Sequence, residues 1–588
     1  MTAVLRVEEP SARYLVQLEP PIVRGFDLLT TARSGVTLLR SLVSALAVQG
    51  LLLPQDPEDE PASILLGQVS AERDRLRSKP DVKSAKGARL LDDDELGITL
   101  PRSWVWARFG ELIDASEAGW SPNCEGGARA GSCWGVLKVS AVSWGEFRPY
   151  ENKALPTHLE ARSEFEVRDG DFLISRANTA QLVARSVVVS KPEPHLMLSD
   201  KIIRLQLSRL VDKQFFNLVN NSRMARDYYA ANASGTSSSM KNVGREDILG
   251  MPVPVPPLAE QHRIVARVEE LMKLCDALEQ NGRLADEQHA RLTSTLFDAL
   301  AASESAHALA ENWQRVAEHF DLLLDRPEAI DALEQTILQL AVRGLLVVQD
   351  SSDEAASALL MRIRAERERM GKISRSSREV PLLDVGDDTE PFDLPTGWAW
   401  ARFAQLGEFG RGKSKHRPRN DPSLFSPGIY PLIQTGEVSR ACQFITEVHS
   451  HYSDVGLAQS RLWPAGTLCI TIAANIADSA ILSFDACFPD SVVGFIPAKA
   501  FDDARYFLVF MKTARQRLID FAPSTAQKNI NLDVLNSVLI PLPPLAEQHR
   551  IVARVEELRR LCDDLRHRLA QARETQSRLA DALVAEVA

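Results

Sequence analysis

The chain has 588 residues and a formal net charge of −11, and 45% of its residues are hydrophobic and 25% charged. This composition is typical of a soluble globular protein, and the length predicts three to five domains. Seven cysteines without a CxxC pair make disulfides and structural zinc unexpected. The sequence has no run of about eighteen apolar residues and no signal-peptide pattern at Met1, which predicts a cytoplasmic protein without a membrane span.

The negative charge argues at first against nucleic acid as a partner, but it is unevenly distributed. Residues 100–250 hold 19 Lys and Arg against 17 Asp and Glu, and residues 394–540 hold 14 against 12. The acidic excess therefore lies in the other, mostly helical parts of the chain. Two slightly basic segments can still present local basic surfaces, so the total charge does not exclude DNA.

A pair of helices is predicted near the beginning of the chain. Residues 1–27 show no periodicity and are predicted to form an irregular leader. A helical pattern runs from Leu28 to Gln49, and Gly50 follows it in the position that a C-terminal cap prefers. After the linker PQDPEDEP, a second helix is predicted at 62–77.

The same helix pair returns later in the chain, at 322–343 and 354–370. AVQGLL at 47–52 matches AVRGLL at 341–346, and AERDRL likewise matches AERERM, each at an offset of 294 positions. Internal repeats of this kind indicate a duplicated architecture.

Two tryptophan-containing segments follow the helix pairs. LPRSWVWARFGEL and LPTGWAWARFAQL lie 294 positions apart, so that Trp104 and Trp106 match Trp398 and Trp400. Bulky aromatic pairs at the start of a domain are first of all packing anchors. We therefore predict that these tryptophans are packing anchors, with stacking on nucleobases as the alternative.

After these segments the two halves diverge, and similarity returns only near Lys241-Asn242 and Lys528-Asn529, now at an offset of 287. The divergent inserts contain short β-type runs separated by Gly, Pro, Asn and Asp, and each adds a helix. The predicted strand regions are 134–142, 171–176, 184–190, 430–438, 467–473 and 479–484, and the predicted helices are 213–231 and 504–521. Each insert is thus predicted to be an α+β domain.

Each insert is followed by the same sixteen letters, PPLAEQHRIVARVEEL, at 256–271 and at 543–558. The Pro-rich start is predicted to stop a preceding strand, and a helix of about 40 residues is predicted to follow. Apolar residues along both helices are spaced 4-3-4-3, which is a heptad seam that needs a partner helix. The seam residues are Ile264, Val268, Leu271, Cys275 and Leu278, and then Ile551, Val555, Leu558, Cys562, Leu565 and Leu569, with Leu579 and Leu583 continuing the second seam.

The predicted fold is α+β, with two α+β domains joined by two long helices that form an antiparallel coiled coil, and with an internal pseudo-two-fold duplication. The predicted domains are an irregular leader (1–27), a helical region with its linker (28–99), a first recognition domain (100–257), a central helical region with its linker (258–393), a second recognition domain (394–544) and a C-terminal helix (545–588). The repeated helix pairs and long helices form a preserved helical frame around two inserts that diverge. This arrangement indicates that the inserts select targets.

The chain resembles the specificity subunit of type I restriction–modification enzymes. The resemblance is carried by both copies of PPLAEQHRIVARVEEL, the AVxGLL…AERxRL helix pair, LPxxWxWxRF, WGVLKVSAVSWGEF and YPLIQTGEV, and it covers nearly the whole chain. It implies a non-catalytic subunit whose two domains read the two halves of an asymmetric, bipartite double-stranded DNA site. It also implies two methyltransferase subunits bound to the helices, and restriction–translocase subunits that join them.

Candidate DNA-binding residues lie mainly in the inserts. The second begins with five cations in nine residues on a Gly- and Pro-broken loop, as phosphate and guanine contacts require, although a solvated loop is the alternative. Its candidates are Arg411, Lys413, Lys415, His416, Arg417 and Arg419, together with Gln434 and Thr435.

Polar loops near the end of each insert form a second candidate set. Small hydroxyl and amide side chains can approach a nucleic-acid backbone closely, but a loop that recurs in both copies can equally close the domain. This set comprises Ser237, Ser238, Lys241 and Asn242, and then Ser524, Thr525, Gln527, Lys528 and Asn529. In the first insert, Lys138, Trp144, Arg176 and Asn178 are predicted at strand ends or in turns.

No catalytic or cofactor motif is convincing. Gly407–Ser414 fits the letters of a phosphate-binding loop, but Pro418 and Pro422 prevent the helix that must follow. The Gly-rich and (N/D)PP(Y/F) loops of a methyltransferase are missing. A histidine lies close to a glutamate at the start of each long helix, His262 to Glu260 and His549 to Glu547. Such a repeated pair indicates capping and interhelical hydrogen bonds. We therefore predict that the chain binds no cofactor or metal, and that S-adenosylmethionine, ATP and Mg²⁺ belong to partner subunits.

The leading interpretation is a DNA-specificity subunit whose helices fix the distance between two half-sites. It predicts that replacing residues 410–540 replaces one half of the recognised sequence. A coiled-coil scaffold that joins two protein-binding domains without DNA contact is an alternative, as is the specificity subunit of a related methyltransferase–nuclease system.

Overall fold

The structure is a computed structural model, and it describes residues 26–32, 34–77, 98–124, 126–235, 240–371, 392–415, 418, 420–473, 476–520 and 532–587. The chain divides into two compact units. Unit 1 comprises Met1–Arg283 with Arg573–Ala588, and unit 2 comprises Leu284–Ala572. Each unit combines helices with β-sheets.

Unit 1 begins with helices and continues into a sheet-containing domain. Its helices are α1 (Phe26–Thr31), α2 (Gly35–Gln49), α3 (Ala62–Arg77), α4 (Lys213–Asn221), α5 (Arg223–Asn232), α6 (Arg245–Gly250) and the first part of α7 (Leu258–Ala301). Its strands are β1 (Val105–Arg108), β2 (Ile113–Ala118), β3 (Gly135–Leu137), β4 (Asn152–Ala154), β5 (Phe172–Ser175), β6 (Ala177–Asn178), β7 (Ser186–Val188), β8 (Leu196–Met197), β9 (Ile202–Leu207), β10 (Lys241–Asn242) and β11 (Pro252–Val255).

An antiparallel four-stranded sheet, in the order β2-β9-β5-β7, is the centre of this domain. A three-stranded sheet, β4-β3-β8, and the pairs β1-β11 and β6-β10 complete it. Phe172 on β5 packs with Phe109, and Phe109 in turn contacts Phe216 on α4, all three being fully buried. The helix therefore covers one face of the sheet, which buries the apolar side chains of both elements.

Unit 2 has the same kinds of element. Its helices are the end of α7, α8 (Ala306–Glu318), α9 (Phe320–Leu323), α10 (Pro327–Val342), α11 (Ala356–Gly371), α12 (Thr435–Arg440), α13 (Asp454–Ala458), α14 (Arg505–Asp520), α15 (Leu532–Ser537) and the greater part of α16 (Leu545–Val587). Its strands are β12 (Ala399–Arg402), β13 (Gly407–Arg411), β14 (Tyr430–Leu432), β15 (Phe444–Ile445), β16 (Ser450–Tyr452), β17 (Leu468–Thr471), β18 (Ser479–Leu482), β19 (Val492–Pro497) and β20 (Leu539–Leu542).

The central sheet of unit 2 has the order β13-β19-β17-β18-β15. The first four strands are antiparallel, and β15 joins β18 in parallel. The pairs β12-β20 and β14-β16 flank it. Phe403, Phe495 and Phe507 form the aromatic centre of the core, between the sheet and α14.

Several predicted elements have different boundaries in the structure. The predicted helix at 28–49 is interrupted between Thr31 and Gly35, and that at 213–231 is divided at Ser222, whose hydroxyl caps α5. The predicted strand regions at 134–142 and 430–438 each become helical after three strand residues. The alternating pattern was misleading there because a short apolar run also fits a buried helical turn.

The strand before each long helix ends directly before the repeated Pro-Pro pair, as predicted: β11 ends at Val255 and β20 at Leu542, and both strands also contain proline. β11 pairs with β1 and β20 pairs with β12, both in two-stranded antiparallel sheets. Proline lacks an amide donor and is tolerated where one side of a strand has no hydrogen-bond partner. The pairing therefore joins the beginning of each insert to its end.

The repeated sequence PPLAEQHRIV forms a buried junction in unit 1. The carboxylate of Glu260 accepts hydrogen bonds from Trp104 Nε1 at 3.0 Å and from Gln55 Nε2 at 2.7 Å. Arg263 forms an ion pair with Asp59 at 2.5 Å. The predicted packing role of Trp104 is confirmed, since it is 4% exposed. The junction thus connects α7, the linker before α3 and the beginning of the insert.

Unit 2 repeats this junction with the matching residues. Glu547 accepts hydrogen bonds from Trp398 Nε1 at 3.0 Å and from Gln349 Nε2 at 3.2 Å. Arg550 forms an ion pair with Asp353 at 2.6 Å. In both copies the glutamate is bound to a tryptophan and a glutamine, which agrees with the structural role predicted for this motif.

Burial raises the pKa of Glu260 above its ordinary value, more than the hydrogen bonds from Trp104 and Gln55 lower it. Because the folded chain binds this proton more tightly than the unfolded chain, the raised pKa adds to the free energy of unfolding. That contribution is fully present below the ordinary pKa of the carboxyl group and is lost as the pH rises through the raised pKa. We expect Glu260→Gln to remove this part of the pH dependence, measured as the free energy of unfolding between pH 4 and pH 7. Glu269→Gln, an exposed position on the same helix, is the control and should keep the slope of the unmodified chain.

The predicted seams are buried for part of their length. In unit 1, Ile264 and Val268 lie in the core of the sheet-containing domain, whereas Cys275 and Leu278 pack in a cluster with residues of α1 and α2. In unit 2, the residues from Ile551 to Leu569 pack in the large core cluster. The continuation to Leu579 is wrong, because that side chain is 54% exposed and Ala580 is buried in its place. The lengths of 44 and 43 residues agree with the prediction.

Among the helices that the structure describes, none is both long enough and apolar enough to cross a membrane.

Candidate nucleic-acid interface

Two exposed cations, Arg176 and Lys201, lie side by side at one end of the central sheet of unit 1. β5 ends at Ser175, opposite Ile202 at the beginning of β9. The amide of Arg176 donates to the carbonyl of Lys201 at 2.9 Å, so both residues extend the strands by one position. Neither side chain forms an ion pair with a residue that the structure describes. The charge of both cations therefore remains available to an anionic partner.

Other predicted residues of the first insert lie next to this pair. Asn178 Nδ2 donates to Ser143 Oγ at 2.9 Å, which places the turn carrying Trp144 beside the loop after β5. Lys241 is paired with Asn178 across β6 and β10. The structure thus brings Trp144, Arg176, Asn178 and Lys241 together, along with Asn242, which is paired with Ala177. Trp144 is 53% exposed, and Arg148 lies over its ring.

Lys138 contributes less charge than the sequence suggested. It precedes the helical turn Val139–Val142, and its ammonium group lies 3.6 Å from Glu151. The turn that it begins is nevertheless part of the same surface, because the turn continues into Ser143 and Trp144.

A half-buried arginine behind this surface was not predicted. Arg226 on α5 donates hydrogen bonds to the carbonyl oxygens of Val183, Ala184 and Asn220, at 2.6 to 2.9 Å. Burial and the nearby charge of Arg185 lower its pKa to about 10. The guanidinium holds the end of the loop that begins at Arg176, where Ala184 has a positive φ of 56°. The sequence gives no signal for this role, because it depends on contacts 42 and 43 residues apart.

The corresponding end of the sheet in unit 2 carries the predicted basic loop. β13 ends at Arg411, opposite Val493, and β17 ends at Thr471, opposite Val492. Arg411 Nε donates to the carbonyl of Asp490 at 2.5 Å, while the side chains of Lys413 and Lys415 are exposed. These residues occupy the same end of the strands as Arg176 and Lys201 do in unit 1.

A glycine follows the edge strand at this end in both units. Gly119 follows β2 and Gly412 follows β13, and a Cβ atom on either would come within about 2.2 Å of a carbonyl oxygen. Only glycine allows the chain to pass so close to the neighbouring backbone. The next residues, Trp120 and Lys413, therefore occupy matching positions. Arg162 lies 4.3 Å from the centre of the Trp120 ring, and neither Arg162 nor Trp120 was predicted from the sequence.

Gln434 and Thr435 lie at the beginning of α12, in a turn that resembles the one after Lys138. Ser439 donates to the carbonyl of Thr435 four residues earlier, as Ser143 donates to Val139. Gln434 is exposed, and its backbone N–H donates to the Glu437 carboxylate at 3.0 Å. The turn adjoins β17 and β18 of the central sheet.

Ten predicted residues lie outside the described part of the chain. They are Ser237, Ser238, His416, Arg417, Arg419, Ser524, Thr525, Gln527, Lys528 and Asn529. Within the described ranges there is also no group of three or more His, Cys, Asp or Glu side chains that could hold a metal ion.

The sequence matches known proteins over almost its whole length. A family model for the type I restriction modification DNA specificity domain matches residues 395–572. The EcoEI specificity subunit of Escherichia coli is 30% identical over 584 residues, which cover 93% of this chain and 93% of that protein. The EcoAI specificity subunit, also from Escherichia coli, is 29% identical over 583 residues with the same coverage.

Two solved structures are also similar to the chain. A chain from a study of complex assembly and conformational transition of the type I R-M system has a TM-score of 0.46 at 18% identity, over 83% of this chain and 98% of that one. The HsdS subunit from Thermoanaerobacter tengcongensis has a TM-score of 0.38 at 18% identity, over 83% and 97%.

The chain thus has two mixed helix-and-sheet units, each with exposed cations at one end of its central sheet. On the sequence comparisons, this chain belongs to the family of type I restriction enzyme specificity subunits. Members of this family are non-catalytic components of restriction–modification systems, and binding to DNA follows from membership.

Proposed function

We propose that each unit of this chain reads one half of a bipartite, asymmetric sequence in double-stranded DNA. One observation supports this most directly: exposed cations occupy the same end of the central sheet in both units, with Arg176 and Lys201 in one and Lys413 and Lys415 in the other. Cations there can contact phosphates, while the neighbouring polar side chains reach base edges. The side chains differ between the units, so the two half-sites are expected to differ in sequence.

We further propose that the chain is an internal duplication with the domain boundaries predicted from the sequence, and that α7 and α16 form an antiparallel coiled coil. Two apolar clusters support this arrangement. In unit 1, Cys275 of α7 shares a cluster with Ala580 and Val584 near the end of α16. In unit 2, Phe297 near the end of α7 shares one with Cys562 of α16. The helices would then set the spacer between the half-sites, which lie about 34 Å apart if both are read from one face of the duplex.

The chemistry of the complex is assigned to partner subunits. Two methyltransferase subunits are proposed to bind the helical frame, with restriction–translocase subunits joining them. S-adenosylmethionine, ATP and Mg²⁺ are expected in those partners and not in this chain. The chain would contribute recognition and spacing alone.

Salt-dependent binding of duplex DNA tests this proposal. The assembled complex is titrated with its duplex target at several salt concentrations, and the target itself is identified by mapping methylated adenines. DNA reading predicts that affinity falls steeply with salt, by a logarithmic slope of about 0.9 for each phosphate contacted. Affinity that is independent of salt and of sequence would instead favour a scaffold that joins two protein-binding domains.

Removing the two cations of unit 1 tests the proposed surface directly. We expect Arg176→Ala with Lys201→Ala to weaken DNA binding and to reduce the salt slope by up to about 2, because two phosphate contacts are lost. Arg168→Ala with Lys191→Ala removes the same charge from exposed residues at the opposite end of the sheet. Equal losses in the two variants would show that the effect is one of net charge and not of this surface.

A further inference from the structure

In unit 1, the short helix α2 is joined to the long helix α7 by a positively charged residue on α2. Arg40 on α2 lies 2.6 Å from Asp276 and 3.2 Å from Glu279 on α7. Its guanidinium also approaches the sulfur of Met272 at 3.9 Å. The charge on α2 is therefore positive, and the surface of α7 that receives it is negative.

The matching contact in unit 2 has the opposite charges. Glu334 on α10 lies 2.6 Å from both Arg559 and Arg566 on α16. Asp331, one turn earlier on α10, also pairs with Arg566 at 2.7 Å. Here the short helix is negative and the long helix is positive.

These contacts occupy equivalent positions in the two copies. The offset of 294 residues relates Arg40 to Glu334 and Thr37 to Asp331, whereas the offset of 287 relates Met272 to Arg559 and Glu279 to Arg566. Asp276 corresponds to Asp563, so this position is acidic in both copies. Charge is thus reversed on both sides of the same contact, and each contact remains complementary within its own unit.

An exchanged pairing would bring like charges together. If α10 docked on α7, Glu334 and Asp331 would meet Asp276 and Glu279 with Met272 in place of an arginine. If α2 docked on α16, Arg40 would meet Arg559 and Arg566 and would keep only Asp563. The first exchange is the less favourable of the two, because it places four carboxylates together and removes the arginines that balance Glu334 and Asp331 in unit 2.

Burial makes the contact of unit 2 the stronger discriminator. The Glu334 side chain is 14% exposed and that of Arg566 is 28% exposed, whereas Glu279 is 63% exposed. Burial would raise the pKa of Glu334, but the hydrogen bond from Arg566 and the charge of Arg559 outweigh it and lower that pKa. A carboxylate held in this way is ionised at neutral pH, and losing its partners at a half-buried site is costly.

A second pair of equivalent contacts also distinguishes the copies. Asp325 lies 3.2 Å from His289 of α7 in unit 2, while the matching Thr31 in unit 1 accepts a hydrogen bond from Gln576 of α16 at 2.8 Å. The contact is neutral in one unit and ionisable in the other. The difference between the two sites therefore involves both long helices.

We propose that this charge reversal is a pairing code, which keeps each short helix on the long helix of its own unit and disfavours its docking on the long helix of the other unit, in the same chain or in a second copy of it. Duplicated segments are prone to such exchange because each can occupy the site of the other. Repulsion in the wrong pairing is the usual means of preventing it.

The test makes the two sites equivalent without breaking either. Thr37→Asp, Arg40→Glu, Met272→Arg and Glu279→Arg together give the contact of unit 1 the side chains of unit 2. The control adds Asp331→Thr, Glu334→Arg, Arg559→Met and Arg566→Glu, which exchanges the code completely and restores the difference. Full-length chains with two different affinity tags are co-expressed without other subunits, and the fraction recovered by successive purification on both tags is measured.

Exchange between matching units of two copies is complementary in every variant, and it sets the doubly tagged fraction of the unmodified chain. We expect the four-residue variant to raise that fraction about twofold, because each short helix can then also dock on the long helix of the non-matching unit of a second copy. The eight-residue variant should return to the unmodified level. An unchanged fraction in the four-residue variant, or an equal rise in both, would overturn the proposal. If the four-residue variant does not fold by circular dichroism, the four changes in unit 2 alone make the sites equivalent in the other direction. These outcomes do not depend on DNA binding.

Discussion

Exchanging residues 403–538 for the matching segment of another specificity subunit is expected to replace one half of the recognised DNA sequence and to leave the other half and the spacer unchanged. The segment lies between β12 and β20, which pair with each other from Ala399 and Leu542 to Arg402 and Leu539. Cutting at 403 and 538 retains that pair, whereas the boundaries 410 and 540 drawn from the sequence cut through β13 and β20. The frame and unit 1 are therefore left intact.

Methylome sequencing of cells that carry the exchanged chain measures this result. An unchanged target would contradict the assignment of one half-site to unit 2. A target altered in both halves would contradict the independence of the units. The matching exchange of residues 109–251, between β1 and β11, is the reciprocal experiment and should alter only the other half.

Trp104→Ala is expected to destabilise unit 1 by about 3–5 kcal/mol, the usual cost of removing a buried aromatic side chain. The indole is 4% exposed, contacts Phe215 edge-on at 6.0 Å and donates to Glu260. Trp104→Phe retains most of the packing but removes the donor, and should cost about 1–3 kcal/mol because a buried acceptor loses a partner. The free energy of unfolding from denaturant titration separates the two terms.

Trp144→Ala is the matched control for this experiment. Trp144 is 53% exposed, so its loss should change the free energy of unfolding by no more than about 0.5 kcal/mol. It should nevertheless weaken DNA binding if the surface with Arg176 is the interface. A large loss of stability in Trp144→Ala, or none in Trp104→Ala, would reverse the roles that burial assigns to the two tryptophans.

The doubled PPLAEQHRIV was recognised from sequence as the beginning of a long helix, and that is confirmed. Its specific contacts were not predictable. Glu260 meets Gln55 across 205 positions and Trp104 across 156, and nothing in the local pattern identifies either partner. The tryptophans and the glutamates were each singled out, but only folding joins them in one hydrogen bond.

The residues of the candidate interface could likewise be named from the sequence one by one, but their grouping could not. Arg176, Asn178, Trp144 and Lys241 were named as separate turn or loop residues, and the structure places them on one surface. Lys201 and Trp120 were missed, because a lone cation or aromatic residue at a strand end has no distinctive spacing. The basic loop after Arg411 needed no structure to be noticed, since its charge density is evident in the sequence.

The sequence by itself determined the repeats, the two long helices and the class of each insert. Helical periodicity and identical letters are properties of neighbouring residues, so they can be read without knowing the fold. Tertiary structure alone decided which strands pair, which end of each sheet carries the cations, and that Arg40 and Glu334 meet opposite charges. Strand pairing and interhelical contacts join residues far apart in the chain, and an alternating pattern specifies a face but not its partner.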